Sequence, residues 1–329
     1  MNVLLIDDGK LPNLAVMKLS ALYKGRGDTV QVRHIRQVRQ KDLAPYERIY
    51  CSVIFERNRE RVEMLQRARP DIAVGGTGWD LQTVLPADVE SLRPDYDLYT
   101  TADIFLRNSH WTGKRENRLA KAAEIVNAGI GFSSRGCVRA CEFCVVPKKE
   151  GMLRQETPIR DIINPRSSLI TLLDNNFTAD PLALEKLREI KERKLTLNIT
   201  QGIDVRLMTP KLASALASVP HWSSIHYAWD FTAQETAVFS GINLLLQFVR
   251  RYKHMCYILV GFNSCFEEDM YRFRKLAEAK ISPLVMLYNE TRDLRLRHFA
   301  RWVNGRFYKT VSWDSYLPWM RDRVQLEAI

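Results

Sequence analysis

Short apolar runs alternate along the chain with longer stretches whose apolar residues recur every three or four positions, the pattern of strands followed by helices. Residues 2 to 7 (NVLLID) run apolar into acid, and Leu14 to Tyr23 keeps helical spacing up to the stop Gly25-Arg26-Gly27, which predicts strand, loop and helix. Thr29 to Val32, Arg48 to Ile54 and Asp71 to Val74 supply further short strands, with Glu56 to Arg69 an amphipathic, heavily charged helix between the last two. Such alternation predicts a parallel sheet with helices on both faces. Ligands of such sheets sit at the carboxyl ends of the strands, here the Asp7 to Asn13 loop and the Gly75-Gly76-Thr77-Gly78 turn.

Leu92 to Val126 reads as a linker, with RPDYDLYTTADIF crossing between domains, followed by a helix from Arg115. Gly129 to Phe132 then predicts a short strand. Five more strand–helix units follow: Ser168–Leu173 with Pro181–Lys194, Thr196–Thr200 with Pro210–Ala217, Ser224–Trp229 with Ala233–Phe239 and Leu244–Tyr252, Met255–Val260 with Glu267–Ala279, and Pro283–Tyr288 with Leu294–Val303. Six units in about two hundred residues suit a (β/α)6 partial TIM barrel better than the full eight, with the active site at the strand C-termini. No internal repeat or low-complexity tract interrupts them.

At 329 residues, 46% hydrophobic and 26% charged, the composition suits a globular chain of two domains. No apolar run approaches the roughly 20 residues of a membrane helix, and MNVLLID lacks a basic leader, so a cytoplasmic protein without membrane contact is expected. Six cysteines, three of them in one loop, argue for a reducing compartment and against a disulfide framework. Lys+Arg 49 against Asp+Glu 38 leaves a net charge of +11. That excess fits a nucleic-acid or other anionic substrate, and also a solvated surface. It crowds locally at Arg33–Lys41, Arg57–Arg69, Arg250–Arg251 and Arg292–Arg301.

The chemistry concentrates in Gly131 to Gly151, GFSSRGCVRACEFCVVPKKEG, where Cys137, Cys141 and Cys144 form C-x3-C-x2-C. Three thiolates on one loop can hold three irons of a [4Fe–4S] cube and leave the fourth open to a small molecule. A zinc site is the alternative, but structural zinc takes four Cys or His ligands, and no second C-x2-C or H-x3-H follows. Polar residues stand at the ends of the later strands: Asp174-Asn175-Asn176, then Gln201 with Asp204 and Arg206, then Asp230, then Gly261. Asp and Asn there are ligand groups or turn and cap residues. Arg206 is suited to grip a carboxylate in two places, or to pair structurally with Asp204. Gly261 lets a backbone approach a ligand. Lys148-Lys149-Glu150 reads as a substrate contact or a solvated loop, Cys256 as a buried hydrophobe, and Cys265 as an incidental thiol that could face the pocket.

The cysteine spacing, with Phe143 just before the last cysteine, resembles the radical S-adenosylmethionine (SAM) superfamily. The resemblance implies a [4Fe–4S] cluster on Cys137, Cys141 and Cys144 whose open iron chelates SAM. An electron, from a flavodoxin or ferredoxin-like reductant, then splits SAM into methionine and a 5′-deoxyadenosyl radical. It also implies that Asp174, Asn175 and Asn176 meet the amino group of SAM, that Asp230 meets the ribose, that Gly261 lies near the adenine, and that Phe143 is a cofactor-binding residue of the cysteine motif. Gln201, Asp204 and Arg206 would border the SAM or substrate pocket, with Asp204 and Arg206 the catalytic candidates.

Residues 1–100 resemble the cobalamin-binding-like, flavodoxin-type domain that precedes the barrel in many such enzymes; 101–128 would be linker and helix, and 129–329 the partial barrel. The cobalt-ligating D-x-H-x-x-G is replaced by Asp7-Asp8-Gly9-Lys10, so no lower-ligand histidine is expected. The domain would bind cobalamin near Gly75 and Gly76 or serve as scaffold. Methylthiotransferases share this order, and their tRNA substrate would match the charge, but they need three cysteines where this chain has only Cys51. GGTGWDLQTVLP, PDYDLY, the cysteine stretch, LLDNNF and QGIDVRL together resemble short radical SAM proteins of bacteria and phages. Three functions follow: cobalamin-dependent methyl transfer, a cobalamin-independent oxidation or rearrangement, or a non-catalytic iron–sulfur or zinc protein that binds nucleic acid.

Overall fold

Strand β1 (Asn2–Asp7) is buried from Val3 onward, which is why its sequence is a continuous apolar run rather than an alternation. In the computed structural model, which describes residues 1–320, it lies inside a parallel sheet of order β2-β1-β3-β4, with β2 Thr29–His34, β3 Arg48–Ser52 and β4 Ala73–Gly75. Leu4 and Ile6 share a core with Ile49, Cys51, Val62 and Leu65, the last two from helix α2 (Arg59–Ala68). Val3 and Leu5 point the other way, toward the side on which α1 (Leu14–Gly25) packs on β1 and β2. The expected parallel sheet with a helix on each face is therefore present. Between β2 and β3 the chain makes two 3-10 turns instead of a helix, and Ile35, Val38 and Leu43 from that stretch complete the core.

The chain divides into two compact units, the first Met1–Ser133 with Val145–Gly151 and Glu156–Leu172, the second Ser134–Cys144 with Met152–Gln155 and everything from Leu173 onward. The segment expected as a linker belongs to the core of the first unit. Tyr96, Leu98 and Tyr99 are buried, and the Tyr96 hydroxyl donates to the Ile162 carbonyl at 2.7 Å. Helix α3 (Thr101–Arg107) follows, started by reciprocal hydrogen bonds between Thr100 and Asp103, and then α4 (Arg115–Asn127). Strand β5 (Gly129–Gly131) pairs in parallel with β6 (Leu169–Leu172) in the same unit.

The second unit holds α5 (Ala183–Glu192), β7 (Thr196–Ile199), α6 (Pro210–Ala217), β8 (Ile225–Ala228), α7 (Glu235–Leu246), β9 (His254–Val260), α8 (Phe266–Glu278), β10 (Ser282–Leu287) and α9 (Leu294–Asn304). β8, β9 and β10 form one parallel sheet. Toward β7 the pairing reduces to isolated parallel bridges, Leu197 with His221 and Ile203 with Tyr227. All six strands expected from the periodicity exist. The two helices expected at Ala233–Phe239 and Leu244–Tyr252 are replaced by one, α7, which ends at Leu246 and leaves residues 247–252 outside it; Gly241 inside α7 is a close-packing point, since a Cβ there would overlap the Val205 carbonyl. In β9, His254, Cys256, Ile258 and Val260 are fully buried, while Met255, Tyr257 and Leu259 on the opposite face are half-buried.

Candidate cluster loop and strand-end site

The cysteine loop begins in a two-residue antiparallel ladder, Ser134–Arg135 with Arg154–Gln155. Three consecutive side chains grip its entry. Asp174, fully buried, accepts from the Ser134 N–H at 2.9 Å and the Ser134 hydroxyl at 2.8 Å. Asn175 Oδ1 accepts from the Gly136 N–H at 2.9 Å, and Asn176 Nδ2 donates to Cys137 Sγ at 3.4 Å. The DNN run that the resemblance assigned to SAM thus holds successive points of the loop itself.

Cys137, Cys141 and Cys144 are half-buried and are not joined in disulfides. The Cys144 N–H donates to the Cys141 carbonyl at 3.0 Å, which folds the C-x2-C into one tight turn. Burial raises the Cys141 thiol, as do Cys144, Asp230 and Cys137, while Arg206 lowers it, so these five groups share one electrostatic neighbourhood. Among the described residues no three His, Cys, Asp or Glu side chains converge closely enough for a single metal ion. A cube, which puts each thiolate on a different iron, asks only that one loop present three sulfurs, and this donor set fits it. The other cysteines lie elsewhere: Cys51 in the first unit's core, Cys256 inside β9, and Cys265 exposed at the start of α8.

Asp204 is saturated. Its Oδ1 takes Arg206 Nε at 2.7 Å, and its Oδ2 takes Arg206 Nη2 at 3.0 Å and Arg139 Nε at 2.9 Å. Burial would raise its pKa, but the hydrogen bonds and charges of the two guanidiniums outweigh it and hold the carboxyl below the usual range. It is an ionised anchor between the cysteine loop and the residues after β7, the structural Asp–Arg pair of the sequence reading extended by Arg139. Arg206 keeps its Nη1 without a hydrogen bond among the described residues, on a side chain 22% exposed. Gln201 is exposed and joins none of these contacts.

At the end of β8, burial pushes the Asp230 carboxyl up to about 6, against Arg272 and Arg206, which lower it. Arg272 of α8 is fully buried. It donates to the carbonyls of Trp229 at 3.0 Å, Leu259 at 2.9 Å and Asp230, and pairs with buried Asp269. One guanidinium thereby holds the ends of β8 and β9 side by side. Gly261 turns the chain after β9 at φ +82°, which a side chain would strain. Beside it stands a feature that the sequence reading missed apart from Phe143. Phe143 lies 5.6 Å from Phe262 and 6.0 Å from Phe231, and Phe262 lies 4.8 Å from Tyr288, between ring centroids. Each new ring comes within three residues of the end of β8, β9 or β10, so their recurrence past successive strands was the available signal.

In the first unit, the carboxyl ends of the strands are filled by the chain itself. Asp7 is fully buried and takes Arg107 Nη1 at 2.6 Å and the Tyr99 hydroxyl. Burial still raises its pKa despite Arg107. Asp8 accepts from the Ile54 and Phe55 N–H groups, both at 2.9 Å, and from Asn58 at 3.0 Å. A Cβ on Gly76, at φ +104°, would overlap the Val53 carbonyl, and one on Gly75 would stand 2.8 Å from Thr83 Cγ2. The glycines press the turn against its own neighbours instead of opening a cradle, and these residues do not fit a corrin. Lys149, beyond the cysteines, donates to the Thr83 carbonyl at 2.7 Å.

No family model matches the chain, and no curated protein does. Solved structures of SuiB from Streptococcus suis are similar at low level. SuiB bound to its precursor peptide SuiA is 16% identical over 77% of this chain and 59% of that one, with a TM-score of 0.39. SuiB bound to S-adenosylmethionine is 14% identical over 60% of this chain and 55% of that one, with a TM-score of 0.38. The chain thus spans a little over half the length of the proteins it matches, and a likeness at that level assigns neither activity nor substrate.

Proposed function

We propose that the chain is a radical SAM enzyme with one [4Fe–4S] cluster on Cys137, Cys141 and Cys144, and that it works without cobalamin. The observation that carries this reading is the loop itself: three half-buried cysteines outside any disulfide, in C-x3-C-x2-C spacing, gripped at Ser134, Gly136 and Cys137 by Asp174, Asn175 and Asn176. Cys137, Cys141 and Cys144 would hold the cluster, which would supply the electron for reductive cleavage of SAM.

The chain's own residues bind and orient. Phe143, Phe231, Phe262 and Tyr288 offer an apolar wall of ring faces for a purine and exclude water from it. Asp230 offers a carboxylate to sugar hydroxyls, and the uncommitted nitrogen of Arg206 suits a carboxylate. Asp204 keeps Arg206 and Arg139 in place as a positioning residue. The saturated strand ends of the first unit favour a scaffold role for that unit. The reductant would be a flavodoxin or ferredoxin-like protein and the compartment the cytoplasm.

A second reading is a non-catalytic iron–sulfur protein that binds nucleic acid. Its support is charge: residues 291–309 hold six Lys or Arg and one Asp, a net of +5 out of +11 for the chain, and Arg297 and Arg301 are exposed on α9. Anaerobic reconstitution with iron and sulfide, reduction by dithionite and chromatography for 5′-deoxyadenosine separate the two. Wild type is expected to form it and Cys141→Ala is not. A fully clustered wild type that leaves SAM intact would overturn the catalytic reading, and hydroxocobalamin retained through gel filtration would overturn its cobalamin-independent form.

A further inference from the structure

The orientation of the Asn176 amide is determined by its neighbours. Its Oδ1 caps the short turn Phe177–Ala179, accepting from the Ala179 N–H at 3.3 Å, and a backbone N–H can only donate. The Thr178 hydroxyl reaches the same oxygen at 3.3 Å. The other end of the amide is therefore the NH2, and it points to Cys137 Sγ at 3.4 Å. The Arg139 N–H reaches that sulfur at 3.3 Å, so Cys137 receives two donors. Asn176 is only 4% exposed, so little water competes for its amide.

We propose that Asn176 is a positioning residue for the cluster, donating a hydrogen bond to the ligating sulfur of Cys137 and thereby raising the cluster's reduction potential. The inference rests on the iron–sulfur reading of the loop and gives Asn176 a task other than contact with SAM. Reduction adds an electron whose charge spreads partly onto the thiolates. A fixed N–H beside one sulfur interacts more strongly with the reduced form and favours it, and hydrogen bonds to the sulfurs are among the terms that set cluster potentials.

Two variants separate this from a structural role. Asn176→Asp keeps the shape and the capping oxygen while replacing the donor with an acceptor. Asn176→Ser keeps a capping acceptor and is too short to reach the sulfur. The full chain, reconstituted anaerobically, is titrated electrochemically with detection by electron paramagnetic resonance. Both midpoints are expected to move negative, by about tenfold in the reduction equilibrium, about 59 mV for one electron. Couplings to exchangeable protons, identified after transfer to deuterium oxide, should diminish in both, with that of the Arg139 N–H remaining. A purely structural role would lower the yield of cluster without moving the midpoint of what forms. If aspartate fails to assemble a cluster, serine decides. Unshifted midpoints in clustered variants overturn this inference and leave the reading of the loop standing; a wild-type chain that assembles no four-iron cluster overturns both.

Discussion

Replacing Arg272 by methionine removes the buried guanidinium that holds three strand-end carbonyls, those of Trp229, Asp230 and Leu259, and pairs with Asp269. Methionine fills much of the volume but supplies no donor. Asp269 would be left fully buried with the Ser264 hydroxyl as its remaining partner, at 2.7 Å. Breaking a buried ion pair from one side costs about 3–5 kcal/mol, and the lost carbonyl bonds act in the same direction without adding in full. A loss of about 4 kcal/mol is therefore expected, a large part of the roughly 5–15 kcal/mol that holds a domain together. Five of the seven tryptophans, Trp222, Trp229, Trp302, Trp313 and Trp319, lie in the second unit, so tryptophan fluorescence during urea unfolding reports mainly on that unit. Adding Asp269→Leu should recover a good part of the loss, because the stranded charge disappears with it. A single variant within about 1 kcal/mol of wild type at unchanged urea dependence would refute the clamp.

The Asp230 carboxyl, pushed up to about 6 from an ordinary 3.8, holds its proton more tightly folded than unfolded. Stability should therefore fall as pH rises from about 4 to 6 and stay flat above, by an amount on the order of 3 kcal/mol. Asp230→Asn should flatten that slope and raise the urea midpoint at pH 7.5; an unchanged midpoint and slope would contradict the burial argument. Gly76→Ala forces a side chain into φ +104° and onto the Val53 carbonyl, so a loss of about 2–4 kcal/mol is expected in thermal unfolding. Gly25→Ala, at the end of α1 with open space around it, is the control and should stabilise by up to about 1 kcal/mol.

The strands and most helices were legible in the sequence because each depends on local periodicity: NVLLID had to be a buried strand, and Glu267 to Ala279 presents one apolar face whatever lies opposite. The C-x3-C-x2-C spacing of Cys137, Cys141 and Cys144 is local in the same way, and all three are half-buried. The capping pair Thr100 and Asp103 is also present in the sequence and starts helix α3 within the segment expected as a linker. Partnership was not legible. Asp7 finds Arg107 a hundred positions away, Asp204 takes Arg139 as well as its neighbour Arg206, and Phe143 meets rings from the ends of two different strands. Periodicity tells a side chain which face it occupies, but the order of strands in the sheet determines what stands opposite. Only the tertiary structure could therefore show that the Asp174 to Asn176 run grips the cysteine loop, and that Asp7 at a strand end of the first unit is held by Arg107.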